Sequence, residues 1–183
     1  MNVLKKIWIY LLAAFFICCT NKESNNKFDS SHYSIILPQD WKKNNTQGID
    51  SDVQIVITKN RDSIYFDFGK FSEKFDETNK VFSITQIKKY KAMGMDTDNL
   101  FFSNTPEIDQ AQGTFMKEYY YYVTIDKVRG KIKVPKIIGK GEVGIYFDSI
   151  DNKNNRLSII GKNLNENDQK EILKSFNTIK FKR

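Results

Sequence analysis

Cysteine is almost absent from this chain. The 183 residues hold only Cys18 and Cys19, side by side near the N-terminus. Everything after them must fold without a disulfide, and a Cys-built zinc module is excluded. Histidine is scarcer still, His32 being the only one. A Ser-His-Asp relay would have to run through that side chain, which stands where a polar leader meets the folded body and is expected to be exposed. Glycine and proline are sparse, at 9 and 3 residues. The one glycine cluster, Gly139-Lys140-Gly141-Glu142-Val143-Gly144, has the spacing of neither phosphate-binding glycine fingerprint. Asp96-Thr97-Asp98-Asn99 opens like a calcium loop, but Leu100 and Phe101 stand where an oxygen ligand and a glycine are needed. No catalytic constellation, metal site or cofactor site is expected, and the chain reads as a non-enzyme.

Long apolar runs are also missing. Ile7 to Ile17 (IWIYLLAAFFI) is uncharged, but eleven residues rise only about 16 Å as a helix, against the roughly 20 residues that a bilayer core needs. With Lys5 and Lys6 before it, the run fits a signal-peptide h-region. It ends on Cys18-Cys19 where an ordinary signal would end on small residues, and that resembles the lipobox of bacterial lipoproteins. The resemblance implies acylation of Cys19, with a small residue before it, or of Cys18 as the alternative; Phe16 departs from the usual Leu. Adjacent cysteines seldom bridge one another without strain, and several acyl chains attach where one is marginal. Thr20 is not the Asp associated with inner-membrane retention in some bacteria, so the outer membrane is the expected address. The division expected is a signal at 1–18, an acylated cysteine and flexible tether at 19–31, and one domain at 32–183.

What is present suits a packed α+β domain. Hydrophobic residues make up 40% and aromatics 14%, enough for a core. The net charge of +7 falls by two, to +5, without Lys5 and Lys6, short of what nucleic-acid binding by charge requires. Tyr33 to Leu37 reads as a strand stopped by Pro38. Val53, Ile55 and Ile57 alternate with Gln54, Val56 and Thr58; after the turn Lys59–Asp62, Ile64, Phe66 and Phe68 alternate again, which predicts a hairpin. Ser83 with Gln86 forms a capping box flanked by Phe82 and Ile87, and Gly94 is placed to end that helix. Strands are expected within Gln112–Asp126, with Tyr119, Tyr121, Val123 and Ile125 on one face, and within Lys127–Val134, Gly141–Ile150 and Arg156–Asn163. Asn165 and Asp168 open a second helix buried through Ile172, Leu173 and Phe176, and a short strand closes the chain. Consecutive strands with short turns predict a mainly antiparallel sheet with two or more helices packed on it.

Pro38 and Trp41 after the first strand, and Ser175-Phe176 before the last, resemble the two ends of PsbP-like domains. That superfamily includes bacterial lipoproteins of the DcrB type and photosystem accessory subunits. The resemblance covers about residues 32 to 181. It implies a sandwich around an antiparallel sheet and an accessory or binding role, with no catalytic residue to carry over.

Two surfaces stand out for binding. Lys127, Arg129, Lys131 and Lys133 alternate with Val128, Gly130, Ile132 and Val134, so a strand here would present one basic face to anionic headgroups or an acidic partner. The same lysines would equally suit an edge strand guarded against aggregation. Tyr119 to Tyr122 put two rings on each side of a strand, and Tyr120 and Tyr122 are the candidate ligand-stacking pair. The expected function is a lipid-anchored, monomeric binding or accessory module for an envelope protein, of which an inhibitor or immunity protein is one form. The alternative is a small-ligand carrier with a pocket between sheet and helix.

Overall fold

The structure is a computed structural model, and it describes residues 26–44, 52–75 and 79–182. The expected signal, Cys18, Cys19 and the first half of the tether lie outside those residues. In chain order the elements are β1 (Asn26–Asp29), β2 (Tyr33–Leu37), β3 (Lys42–Asn44), β4 (Asp52–Ile57), β5 (Ser63–Gly69), β6 (Val81–Ser83), α1 (Ile84–Ala92), β7 (Phe101–Ser103), α2 (Pro106–Gln112), β8 (Glu118–Ile125), β9 (Val128–Pro135), β10 (Glu142–Phe147), β11 (Arg156–Lys162), α3 (Glu166–Phe176) and β12 (Lys180–Phe181). This is an α+β fold dominated by antiparallel strands.

A seven-stranded sheet in the order β3-β4-β5-β11-β10-β9-β8 is antiparallel throughout. Its register sorts side chains into two faces, because neighbours along a strand point opposite ways. One row across the sheet runs Gln54, Phe66, Ile159, Ile145, Ile132 and Tyr121. Phe66, Ile159 and Ile145 in that row are fully buried. The next row, on the opposite face, runs Ile55, Tyr65, Ile160, Gly144, Lys133 and Tyr120. Over the apolar face lie α3 and a second sheet of order β1-β2-β12. Their side chains Phe28, Tyr33, Ile35, Ile172 and Phe176 complete one core. β6 and β7 pair in parallel beside α1 and α2.

Local signals account for the helices. Ser83 Oγ accepts from Gln86 N while Gln86 Oε1 accepts from Ser83 N, so the capping box is complete. Met93 is the C-cap, and Gly94 follows at φ +74°. Asn165 caps α3 by accepting from the amides of Asn167 and Asp168. α2 was not foreseen because none of its residues is buried, which leaves no apolar period to read; it rests instead on Pro106 in the first turn and Gly113 at φ +64°.

One expectation about the organisation of the chain needs correction. The folded body begins before residue 32: β1 occupies Asn26–Asp29 inside the segment expected to be tether. One apolar residue among polar ones gives no periodicity, yet Phe28 enters the core with its ring 4.8 Å from Phe66. The Asn26 side chain fixes the strand by donating to the carbonyls of Pro38 and Trp41. On β4, Val53, Ile55 and Ile57 face away from the core, while Val56 and Thr58 are buried in it. His32 is exposed, as expected of it, and lies flat on Phe68 at 4.0 Å between ring centroids.

Phe28→Ala is expected to lower unfolding free energy by about 3 kcal/mol, the range for emptying a buried aromatic site. Urea denaturation checks this; an unchanged midpoint would return residues 26–31 to the tether.

Candidate functional site

β8 and β9 form a hairpin at the margin of the sheet. Its turn is Asp126-Lys127, with φ of 47° and 68°, the left-handed pair that matches the twist of the flanking strands. Asp126 accepts the Phe181 amide at 2.8 Å and lies 3.6 Å from Lys180, which holds the turn against β12. Lys127 therefore sits in the turn and not in the basic row.

The remaining three cations share one face but not one environment. Arg129 is exposed, and its guanidinium lies 4.0 Å from the centroid of the Tyr122 ring. The Lys131 ammonium lies 5.6 Å from the same ring. Lys133 is only 4% exposed. Its ammonium is ion-paired with Glu142 and sits 4.1 Å from the Phe75 ring. The wholly basic face expected from alternation is thus cut short by burial, and Lys133 is a structural ion. The guard reading also falls, because β9 lies between β8 and β10 and has no free edge. The edge strand is β8, which carries the tyrosines.

Those tyrosines divide as expected. Tyr120 is half-buried against the small cluster of Phe75, Tyr146 and Ile160. Tyr122 is 53% exposed on the same face. Tyr119 and Tyr121 are exposed on the other face, with Lys136 5.4 Å from the Tyr119 ring. Tyr120 and Tyr122 share a face but not an environment: Tyr120 packs on that cluster, and Tyr122 lies beside Arg129 and Lys131.

Glu142 was not singled out by sequence, since only the strand pairing brings it to Lys133. It accepts from Lys133 and, at 2.9 Å, from Lys162. Burial pushes its carboxyl up, but hydrogen bonds and charge from the two lysines together hold it below its ordinary value. Lys162 is raised in turn by its hydrogen bond to Glu142. Farther along β10, Tyr146 donates to Asp148 at 2.7 Å. Burial pushes the Tyr146 phenol up, and Asp148 adds to it.

Two open recesses lie on the sheet, one beside the hairpin and one beyond β10. One of about 760 Å³ lies between α2 and β8 and is lined by Gln110, Met116, Tyr119, Tyr120 and Lys136. Another of about 400 Å³ lies on the sheet face above Tyr65, Asp67, Ser158 and Ile160. Asp67 Oδ1 and Ser158 Oγ are buried there without a hydrogen-bond partner. Among the described residues, no three His, Cys, Asp or Glu side chains gather as metal ligands. Among the same residues, no helix is long and apolar enough to cross a membrane. No protein-family model matches the chain, and no curated protein matches it.

Glu142→Gln leaves Lys133 buried without a counter-ion. It is expected to cost about 2–3 kcal/mol, below the usual loss for a broken buried pair because Glu142 keeps 24% of its side chain exposed. Lys133→Met added to it should recover most of the loss. Because the Glu142 value is depressed on folding, its stabilisation is present above the ordinary carboxylate range and is lost as pH falls through the lowered value. Urea melts from neutral to acid pH check both points: the wild type should lose its advantage over Glu142→Gln in acid.

Proposed function

We propose that this chain is a bacterial lipoprotein acylated at Cys19, or at Cys18, and that it serves as a non-enzymatic, monomeric binding module for another protein of the cell envelope, with the outer membrane as its address. The observation that carries the binding reading is the exposed Tyr122 ring held beside Arg129 and Lys131, with Tyr119 and Tyr121 exposed on the reverse of the same edge strand. Tyrosine and arginine dominate the energetics of protein interfaces, and rings already held by cations lose little freedom on binding. An inhibitor or immunity protein is one form such a module takes. The PsbP-like assignment is supported by Pro38 just past β2, the buried Trp41, and Ser175 and Phe176 buried at the end of α3 before β12. A small-ligand carrier is the second reading, favoured by the recess between α2 and β8, which Tyr120 lines and Tyr122 does not.

Immobilised full chain should retain one stoichiometric protein from detergent-solubilised envelope. Tyr122→Ala with Arg129→Ala should weaken that complex by about 30-fold or more, equivalent to roughly 2 kcal/mol. Equal retention by wild type and double variant would remove this surface from the proposal. A small molecule released on denaturing the wild type, with no protein retained, would turn the reading to the carrier.

A further inference from the structure

The register of the large sheet defines two ends. Ser63, Lys162, Glu142, Pro135 and Glu118 mark one, and Gly69, Arg156, Phe147, Val128 and Ile125 mark the other. Asn26, where the described chain starts, lies at the first end. Its side chain is 2.8 Å from the Trp41 carbonyl, and the next residue, Lys42, pairs with Ile57 beside the β4–β5 turn. The seven steps from Cys19 to Asn26 span at most about 25 Å. An acyl anchor at Cys19 therefore attaches nearer this end of the sheet than the other.

The same end carries an unusual loop. Between β9 and β10, Lys136-Ile137-Ile138-Gly139-Lys140-Gly141 closes with Lys140 N donating to Ile137 O at 3.0 Å. Gly139 at φ +78° takes the third position of that turn, where only a residue tolerant of left-handed backbone fits. The turn leaves Ile137 and Ile138 exposed at 62% and 52%. Two adjacent isoleucines at a loop tip thus leave more than half of their surface outside the domain. Lys136 and Lys140 flank them, and Lys117 stands exposed beside the adjoining recess of about 870 Å³. Of the acids at that recess, Glu142 is ion-paired with Lys133 and Lys162, while Glu118 accepts the Glu142 amide and keeps its charge beside the three lysines.

We infer that the Lys136–Gly141 loop docks on the bilayer surface, its isoleucines entering the interface and Lys117, Lys136 and Lys140 meeting anionic headgroups. An apolar tip with a cationic collar is the composition that favours interfacial insertion, and across the sheet the loop stands about 24 Å from the anchored edge, five strand spacings. The anchor and the loop together give two attachment points on one membrane plane, which presents the Tyr122–Arg129 surface toward the opposite end of the sheet, away from the lipid. This inference rests on the acyl anchor proposed above.

The test uses the acylated full chain in vesicles of phosphatidylethanolamine and phosphatidylglycerol. An environment-sensitive dye is placed at Ile137→Cys, at Lys140→Cys as a second reporter, and at Phe71→Cys as the far-end control, with the chain lacking an added cysteine as blank. Phe71 is 82% exposed and is the strongest rival tip. The expected result is a blue shift and loss of emission to a lipid-phase quencher at 137, a smaller loss at 140, and none at 71. Acylated, vesicle-bound protein in which 137 stays as wet as 71, or in which 71 alone is shielded, would overturn the docking while leaving the anchor intact. Shielding of 137 in native envelope but not in the pure-lipid vesicles would assign the loop to a protein and overturn it too. Mass spectrometry showing neither Cys18 nor Cys19 acylated would remove the anchor and this orientation with it.

Discussion

Phe66, Ile159, Ile145 and Ile132 stand opposite one another across four strands, buried under α3 and the β1-β2-β12 sheet. Each such side chain contributes about 1.5–3 kcal/mol when removed from water. With no cysteine after Cys19, this burial does the work that a small secreted domain often assigns to disulfides. It also fixes register, since a slip of one residue would turn every apolar side chain outward. Once register is fixed, the opposite face is fixed as well. Lys133, Tyr120 and Tyr122 are placed by what Ile132 and Tyr121 do on the other side.

Glu142 shows how that second face differs from a simple charged surface. A lysine driven to a buried position by its neighbours' needs must find a carboxylate, and Glu142 supplies it from the adjacent strand. Phe75 then covers the pair from above. The Lys133 charge is thereby matched within the sheet, and the cations near the margin include Arg129 and Lys131 beside Tyr122 and the lysines around Ile137 and Ile138.

Much of the architecture was legible in the sequence. The hairpin of β4 and β5, the Ser83 capping box, the Asn165 cap, the α3 stripe and the antiparallel order all follow from short-range periodicity and capping chemistry, which a single chain records directly. β1 was not legible, because one phenylalanine carries it and its partner is Phe66, far along the chain. α2 was not legible because it buries nothing. At the site, alternation correctly put Arg129, Lys131 and Lys133 on one face. It gave no sign of depth, since whether a strand is central or marginal depends on pairing with β10. The turn residue Lys127 was misplaced for a related reason, Asp-Lys being a poor signature of a left-handed two-residue turn compared with Asn-Gly.

Two contact regions stand towards opposite ends of one sheet: the loop between β9 and β10 for lipid, and the Tyr122–Arg129 part of the β8–β9 hairpin for a protein partner. Amide hydrogen exchange on the acylated chain, free in detergent and then seated in its native envelope, tests that division most directly. Added protection is expected at Lys136–Gly141 and over Tyr119–Tyr122 with Arg129–Lys131, and unchanged exchange at Lys70–Ser72 and Asp151–Asn154. Protection confined to those last two segments, or spread evenly over the domain, would contradict it.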